Sequence, residues 1–157
     1  MDPEELLQRA EASAGNPGAT QAEIRRAISD AYYALFHLCQ AAAADMVQGP
    51  LALSSDEYGL VYRSVDHFRL RAVRSQLNSK PSSDTEARFG RMIDFVNIAN
   101  TLQEHRHFAD YEPPAKTYTA EQANIYISNA RQAISWFWES TAEQRRAFLL
   151  LLLFKSR

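Results

Sequence analysis

Apolar residues recur along this chain at intervals of three and four, and clusters of breakers separate the runs that carry them. No segment sustains the period-two alternation that a half-buried strand needs. The breakers are Gly15-Asn16-Pro17-Gly18, Gly49-Pro50, Pro81 and Pro113-Pro114. The pattern Ser/Thr-x-x-Glu/Gln, whose first side chain caps a backbone N–H and whose fourth reaches back, occurs at five plausible helix starts. These are Thr20/Glu23, Ser54/Glu57, Ser83/Glu86, Thr119/Gln122 and Thr141/Gln144. Together the signals predict an all-α fold with helices over 3–14, 20–48, 55–78 (broken near Asp66), 84–109, 120–139 and 142–155. That is a compact bundle of about five to six helices.

The second predicted helix is the central one. Ile24, Ala27, Ile28, Ala31, Leu35, Leu38 and Ala42 step along one face, and Tyr32, Phe36, Cys39 and Ala43 fill the next. A helix apolar over most of its circumference is surrounded by others. One polar line survives on it: Arg26, Asp30, Tyr33 and His37. It is either a solvated seam or faces a second polar element or subunit. In the fourth predicted helix the core stripe is Phe89, Met92, Phe95, Ala99 and Leu102, and one further step of four lands on Arg106. The arginine therefore sits on or beside a face that has been apolar for several turns, where an unpaired charge is costly. Asp110, four residues on, is its local partner candidate. His105 and His107 flank it on divergent faces. The last predicted helix is apolar all round from Phe148 to Phe154 and closes with Lys155-Ser156-Arg157, so part of it is expected in a homodimer interface.

Size and composition narrow the picture. At 157 residues one domain over 1–157 is expected, with an N-terminal helix and Gly/Pro linker over 1–19 and the apolar C-terminal helix over 141–157. Hydrophobic residues at 46% supply a core, and a net charge of −2 gives no overall electrostatic case for nucleic acid or a membrane. Locally, 61–80 carries Arg63, Arg69, Arg71, Arg74 and Lys80 against Asp66 alone, a modest basic patch that reads first as a solvated helix face and is also compatible with phosphate contacts. The single cysteine, Cys39, lies in an apolar run, which fits a buried thiol in a reducing compartment. The first residues are acidic where a signal peptide would be basic, and Ala147 to Phe154 is far short of the roughly 20 residues of a membrane span. A soluble, cytoplasmic protein is expected.

The densest chemistry lies in Leu102 to Pro113, with its two histidines, arginine, aspartate and tyrosine. Two stretches together resemble a known superfamily. Arg25-Arg26-Ala27-Ile28-Ser29-Asp30-Ala31-Tyr32-Tyr33-Ala34-Leu35-Phe36-His37 resembles the second-helix signature of HEPN-type helical domains. Arg106-His107-Phe108-Ala109-Asp110-Tyr111 resembles the Arg-x-x-Ala-Asp-Tyr ending of one branch of that superfamily. The order of the motifs matches as well, and the resemblance spans roughly 20–140. It implies a helical bundle that dimerises. In many members it also implies a metal-independent RNase of the toxin–antitoxin or defence kind, in which an Arg-x(4–6)-His motif from each subunit meets at the dimer cleft. Here positions +4 and +5 from Arg106 are Asp110 and Tyr111, and the nearby histidine, His107, stands at +1. The Arg63/His67 spacing is Arg-x(3)-His.

Two functions follow as expectations. The first is a homodimeric RNA- or nucleotide-binding protein with a degenerate RNase site. Its catalytic candidates are Arg106, His107, Asp110 and Tyr111, its binding candidates Asp30, Tyr33, His37, Arg63 and Arg69, and its partner an antitoxin or a small nucleotidyltransferase. The alternative is a non-catalytic interaction or dimerisation module in which Arg106, Asp110 and Tyr111 are structural. A metal site from His37, His105, His107 and Asp110 conflicts with helical phase, since histidines two apart point roughly 200° from one another. Neither metal nor cofactor is expected.

Overall fold

The computed structural model describes residues 1–79 and 82–155. Lys80 of the basic patch, the breaker Pro81, and Ser156 and Arg157 of the closing triplet lie outside them. Among the described residues the fold is all-α, with eight α-helices and no strand. They are α1 (Pro3–Ala14), α2 (Gln21–Gln48), α3 (Asp56–Ser64), α4 (His67–Ser79), α5 (Ser83–Phe89), α6 (Met92–Tyr111), α7 (Ala120–Glu139) and α8 (Ala142–Leu153). A short 3-10 turn, Pro50–Ala52, follows α2.

Two of the expected helices are each a pair. The break near Asp66 is present: α3 ends at Ser64, and the Asp66 carboxylate accepts from the backbone N–H of Arg69 at 2.7 Å to cap α4. The second break is a correction, because 84–109 is not one helix. Gly90 ends α5 at φ 48°, ψ −130°, its N–H donating to the Glu86 carbonyl at 2.8 Å. That positive φ is a backbone conformation that L side chains rarely adopt, so glycine suits this corner, and a Cβ there would also lie 2.6 Å from Nε2 of Gln144. The phase of the apolar stripe survives the break, since Phe89, Met92 and Phe95 are all buried.

Three of the five expected capping boxes form. In each, the Thr hydroxyl accepts from the N–H of the Glu or Gln three residues on, at 3.3 Å for Thr20/Glu23 and 3.1 Å for both Thr119/Gln122 and Thr141/Gln144. The other two do not form, and a simple serine cap stands one residue away in each. Ser55, not Ser54, caps α3 by accepting from Tyr58 N–H, and Ser82, not Ser83, caps α5 by accepting from Thr85 N–H. Both errors fall at a Ser-Ser pair, where either hydroxyl is three residues from a suitable helical N–H.

The described residues group into two compact units: one formed by 1–37 and 98–134, the other by the remainder. In the first unit, Leu6, Leu7 and Ala10 of α1, Ile28, Ala31 and Leu35 of α2, Leu102 of α6 and Ile127 and Ala130 of α7 are buried. In the second, α8 packs against α4 and α5. The Phe95 ring meets Phe137 and Phe148 there, with centroids 5.5 and 5.6 Å away. Cys39 is fully buried, and that burial pushes its thiol pKa well above the usual range. Phe148, Leu149 and Leu152 of α8 are buried, Leu150, Leu151 and Leu153 are half-buried, and Phe154 is exposed. No helix among the described residues is long and apolar enough to cross a membrane.

Candidate functional site

The polar residues singled out near the end of α6 belong to the first unit, and the helix divides them among three environments. Arg106 is the inward one. Its side chain is 11% exposed, although the residue stands in the last two turns of α6. The guanidinium lies over the rings of Tyr32 and Tyr33 of α2, 5.5 and 5.2 Å from their centroids. Its Nε is 3.6 Å from a carboxylate oxygen of Asp110, one turn later. The other oxygen of that carboxylate accepts a hydrogen bond from the hydroxyl of Ser29, which is buried. The chain Tyr32/Tyr33–Arg106–Asp110–Ser29 thus closes a ring of contacts that starts and ends on α2. A planar cation on two aromatic faces is a favourable way to hold a charge away from water.

The polar line on α2 faces other polar elements. Asp30 is 1% exposed, and its carboxylate accepts from Nε and Nη2 of Arg9 on α1, both at 2.7 Å. The expected i,i+4 partner Arg26 adds a contact of 3.1 Å. The bidentate bond to Asp30 raises the Arg9 pKa. Tyr33 lies under Arg106, and its ring is stacked with that of His37 at 6.0 Å. Asp30 is therefore sealed between two arginines, and Tyr33 is occupied by a third.

The two histidines part company, as helical phase requires. His107 is exposed and packs against the ring of Tyr111, 4.9 Å away. Tyr111 is 68% exposed, so the tyrosine expected beside Arg106 instead pairs with His107 at the open end of the helix. His105 turns to the other side. It stacks on Tyr126 of α7 at 4.2 Å and meets the edge of Tyr118 at 6.2 Å. Burial lowers its pKa from the usual 6.5, partly opposed by the charge of Glu104. The three rings, with Phe108 and Lys116, line a cavity of about 360 Å³.

One structural device went unread in the sequence. The segment between α6 and α7 is strapped to α2. Arg25 donates to the carbonyl oxygens of Glu112, Pro113 and Lys116 at 2.9, 3.0 and 2.8 Å. The Gln21 amide bonds both ways to the backbone of Tyr118, donating to its carbonyl at 2.6 Å and accepting from its N–H at 3.0 Å. The prolines mark where α6 must stop, but nothing local in Arg25 or Gln21 announces a partner about ninety residues away.

Arg63 and Arg69 belong to the second unit. Arg63 is exposed on α3. The Arg69 guanidinium donates to the carbonyls of Leu151, Leu152 and Phe154, covering the unsatisfied oxygens at the C-terminal end of α8. That side chain closes a helix, where the sequence offered it as a phosphate contact. Among the described residues no group of three or more His, Cys, Asp or Glu side chains is placed to hold a metal ion. No protein-family model, curated protein or solved structure matches the chain.

Proposed function

We propose that this chain is a non-catalytic, HEPN-like interaction module that works as a homodimer in the cytoplasm, with the Arg106–Asp110 cluster as its internal clasp. The observation that carries this reading is the burial of Arg106. A guanidinium that steadies a scissile phosphate must be presented to it, whereas this one is 11% exposed and lies over two tyrosine rings. Asp110, one residue short of the spacing at which the resemblance implies an acid–base histidine, is committed to Ser29 and Arg106, and the residue at that spacing is Tyr111. The half-buried leucines of α8 and the exposed Phe154 support a self-association surface. Size-exclusion chromatography with light scattering tests the dimer. A mass near 36 kDa at micromolar concentration, twice the 17.8 kDa of the chain, is expected, and a strict monomer would contradict it.

One observation favours a second reading, RNA or nucleotide binding without cleavage. His107 and Tyr111 form an exposed aromatic pair at the end of α6, and such pairs offer a stacking surface for a base. Titration of labelled single-stranded RNA with wild type and Tyr111→Ala separates the two. Equal, negligible binding fits the interaction module, and saturable binding lost in Tyr111→Ala fits the second reading.

A further inference from the structure

The His105 corner is absorbed by neither reading. Most of its walls are held in place by contacts within the chain. His105 and Tyr126 are stacked 28° from parallel, and Tyr118 stands at 78° and 81° to them. The backbone of Tyr118 is pinned by Gln21, and that of Lys116 by Arg25. Thr119 and Gln122 close a capping box that fixes the start of α7 alongside. Phe108, 41% exposed, adds a further ring at the mouth.

The geometry of the rings selects a ligand shape. One wall presents faces and the adjoining wall an edge, the pair of arrangements that aromatic groups prefer. His105 and Tyr126 are too close at 4.2 Å to admit anything between them, so a ligand lies against the corner. The cavity, about 360 Å³, sits at the small end of ligand pockets, which run from about 300 to 1,000 Å³. One or two fused rings fill it.

Charge selects the rest. Aromatic walls alone would suit a cation, but a cation is already there. The Lys116 ammonium lies 5.2 Å from the centre of the Phe108 ring, where it repels a second cation and attracts an anion. Its present partner is Glu112 at 3.0 Å, in a pair whose lysine is 62% exposed. Such pairs are weak and exchange readily. Thr117 and Gln122 add polar groups at the same rim.

We propose that this corner binds a flat aromatic carboxylate, its ring against His105, Tyr118 and Tyr126 and its acid group on Lys116. Isothermal titration of the full chain tests it with three probes: 2-naphthoate, its neutral counterpart 2-naphthamide, and the non-aromatic cyclohexanecarboxylate. The expected result is one saturable site for 2-naphthoate, about tenfold weaker binding of the amide through loss of the charged contact, and no saturation by cyclohexanecarboxylate. Lys116→Met should bring 2-naphthoate down to the affinity of the amide. Thr117→Trp, at an exposed loop position, should fill the cavity and abolish binding with no change in melting temperature. No saturable binding of 2-naphthoate at millimolar concentration would overturn the proposal. So would equal affinity for the amide, or binding that survives both substitutions.

Discussion

Replacing Arg106 by alanine separates a clasp from an active-site group, because the two predict opposite effects on stability. The side chain is 11% exposed and touches Tyr32, Tyr33 and Asp110. Its removal deletes two cation–π contacts, each worth about 1–2 kcal/mol when shielded from water. It also removes the packing of the aliphatic stem and one partner of a carboxylate whose side chain is 31% exposed. Asp110 keeps its bond from Ser29, which limits the penalty for its stranded charge. A loss of about 3 kcal/mol follows, at the lower end of the range for breaking a shielded charge pair. For a chain of this size that lowers Tm by roughly 6–12 °C. Urea unfolding checks the figure, with the midpoint falling while the slope stays constant. A double-mutant cycle with Asp110→Ala should show the pair destabilising by less than the sum of the singles, since each single substitution already breaks the same contact. A variant within about 0.5 kcal/mol of wild type, or more stable than it, would refute the clasp and return Arg106 to the active-site class.

The other predictions concern separate parts of the fold. Arg9→Ala should cost about 2–3 kcal/mol, because it removes a bidentate charge-assisted bond from the buried Asp30 and leaves it Arg26, and chemical denaturation measures it. Gly90→Ala should cost about 1–2 kcal/mol from its positive φ, with further loss where the new methyl meets Gln144, and thermal melting reads the total. The stability of wild type should fall as pH drops below 6.5. The unfolded chain protonates His105 there before the folded chain, whose imidazole is kept neutral by burial, and His105→Phe, melted at pH 7 and pH 5, should lose that part of the slope. A second fall should begin below pH 4.5, where Glu4 and Glu11 of the unfolded chain protonate before those of the folded chain. Their hydrogen bonds to Arg131 hold both carboxyls below that value in the folded chain, and Arg131→Met should blunt this step.

The parts of this structure that could be read in sequence are those set by local geometry. The three- and four-residue spacing placed the helices, and carried from Leu102 to Arg106 it put the arginine on a shielded face and the two histidines on divergent ones. The break near Asp66 was readable because an aspartate before a helix is a capping signal. The break at Gly90 was not, since a lone glycine is tolerated within a helix, and Gln144, the side chain that lies against the turn, is fifty-four residues away. The partners of the charges were hidden for the same reason. Arg9 with Asp30, Arg25 with the loop after α6, Arg69 with the end of α8, and Arg131 with Glu4 and Glu11 each join segments that no sequence spacing connects. Tyr111 follows Asp110 directly, but consecutive helical residues differ by about 100°, and its ring lies against His107 at the open end of α6.

Whether the chain cuts RNA is the sharpest division between an interaction module and a nuclease. A purified wild-type preparation, incubated with end-labelled single-stranded RNA beside Arg106→Ala and Asp110→Asn, tests it directly. With Arg106 and Asp110 as a structural clasp, wild type and both variants leave the RNA intact to the same degree. Cleavage by wild type that disappears in a folded Arg106→Ala variant would contradict it.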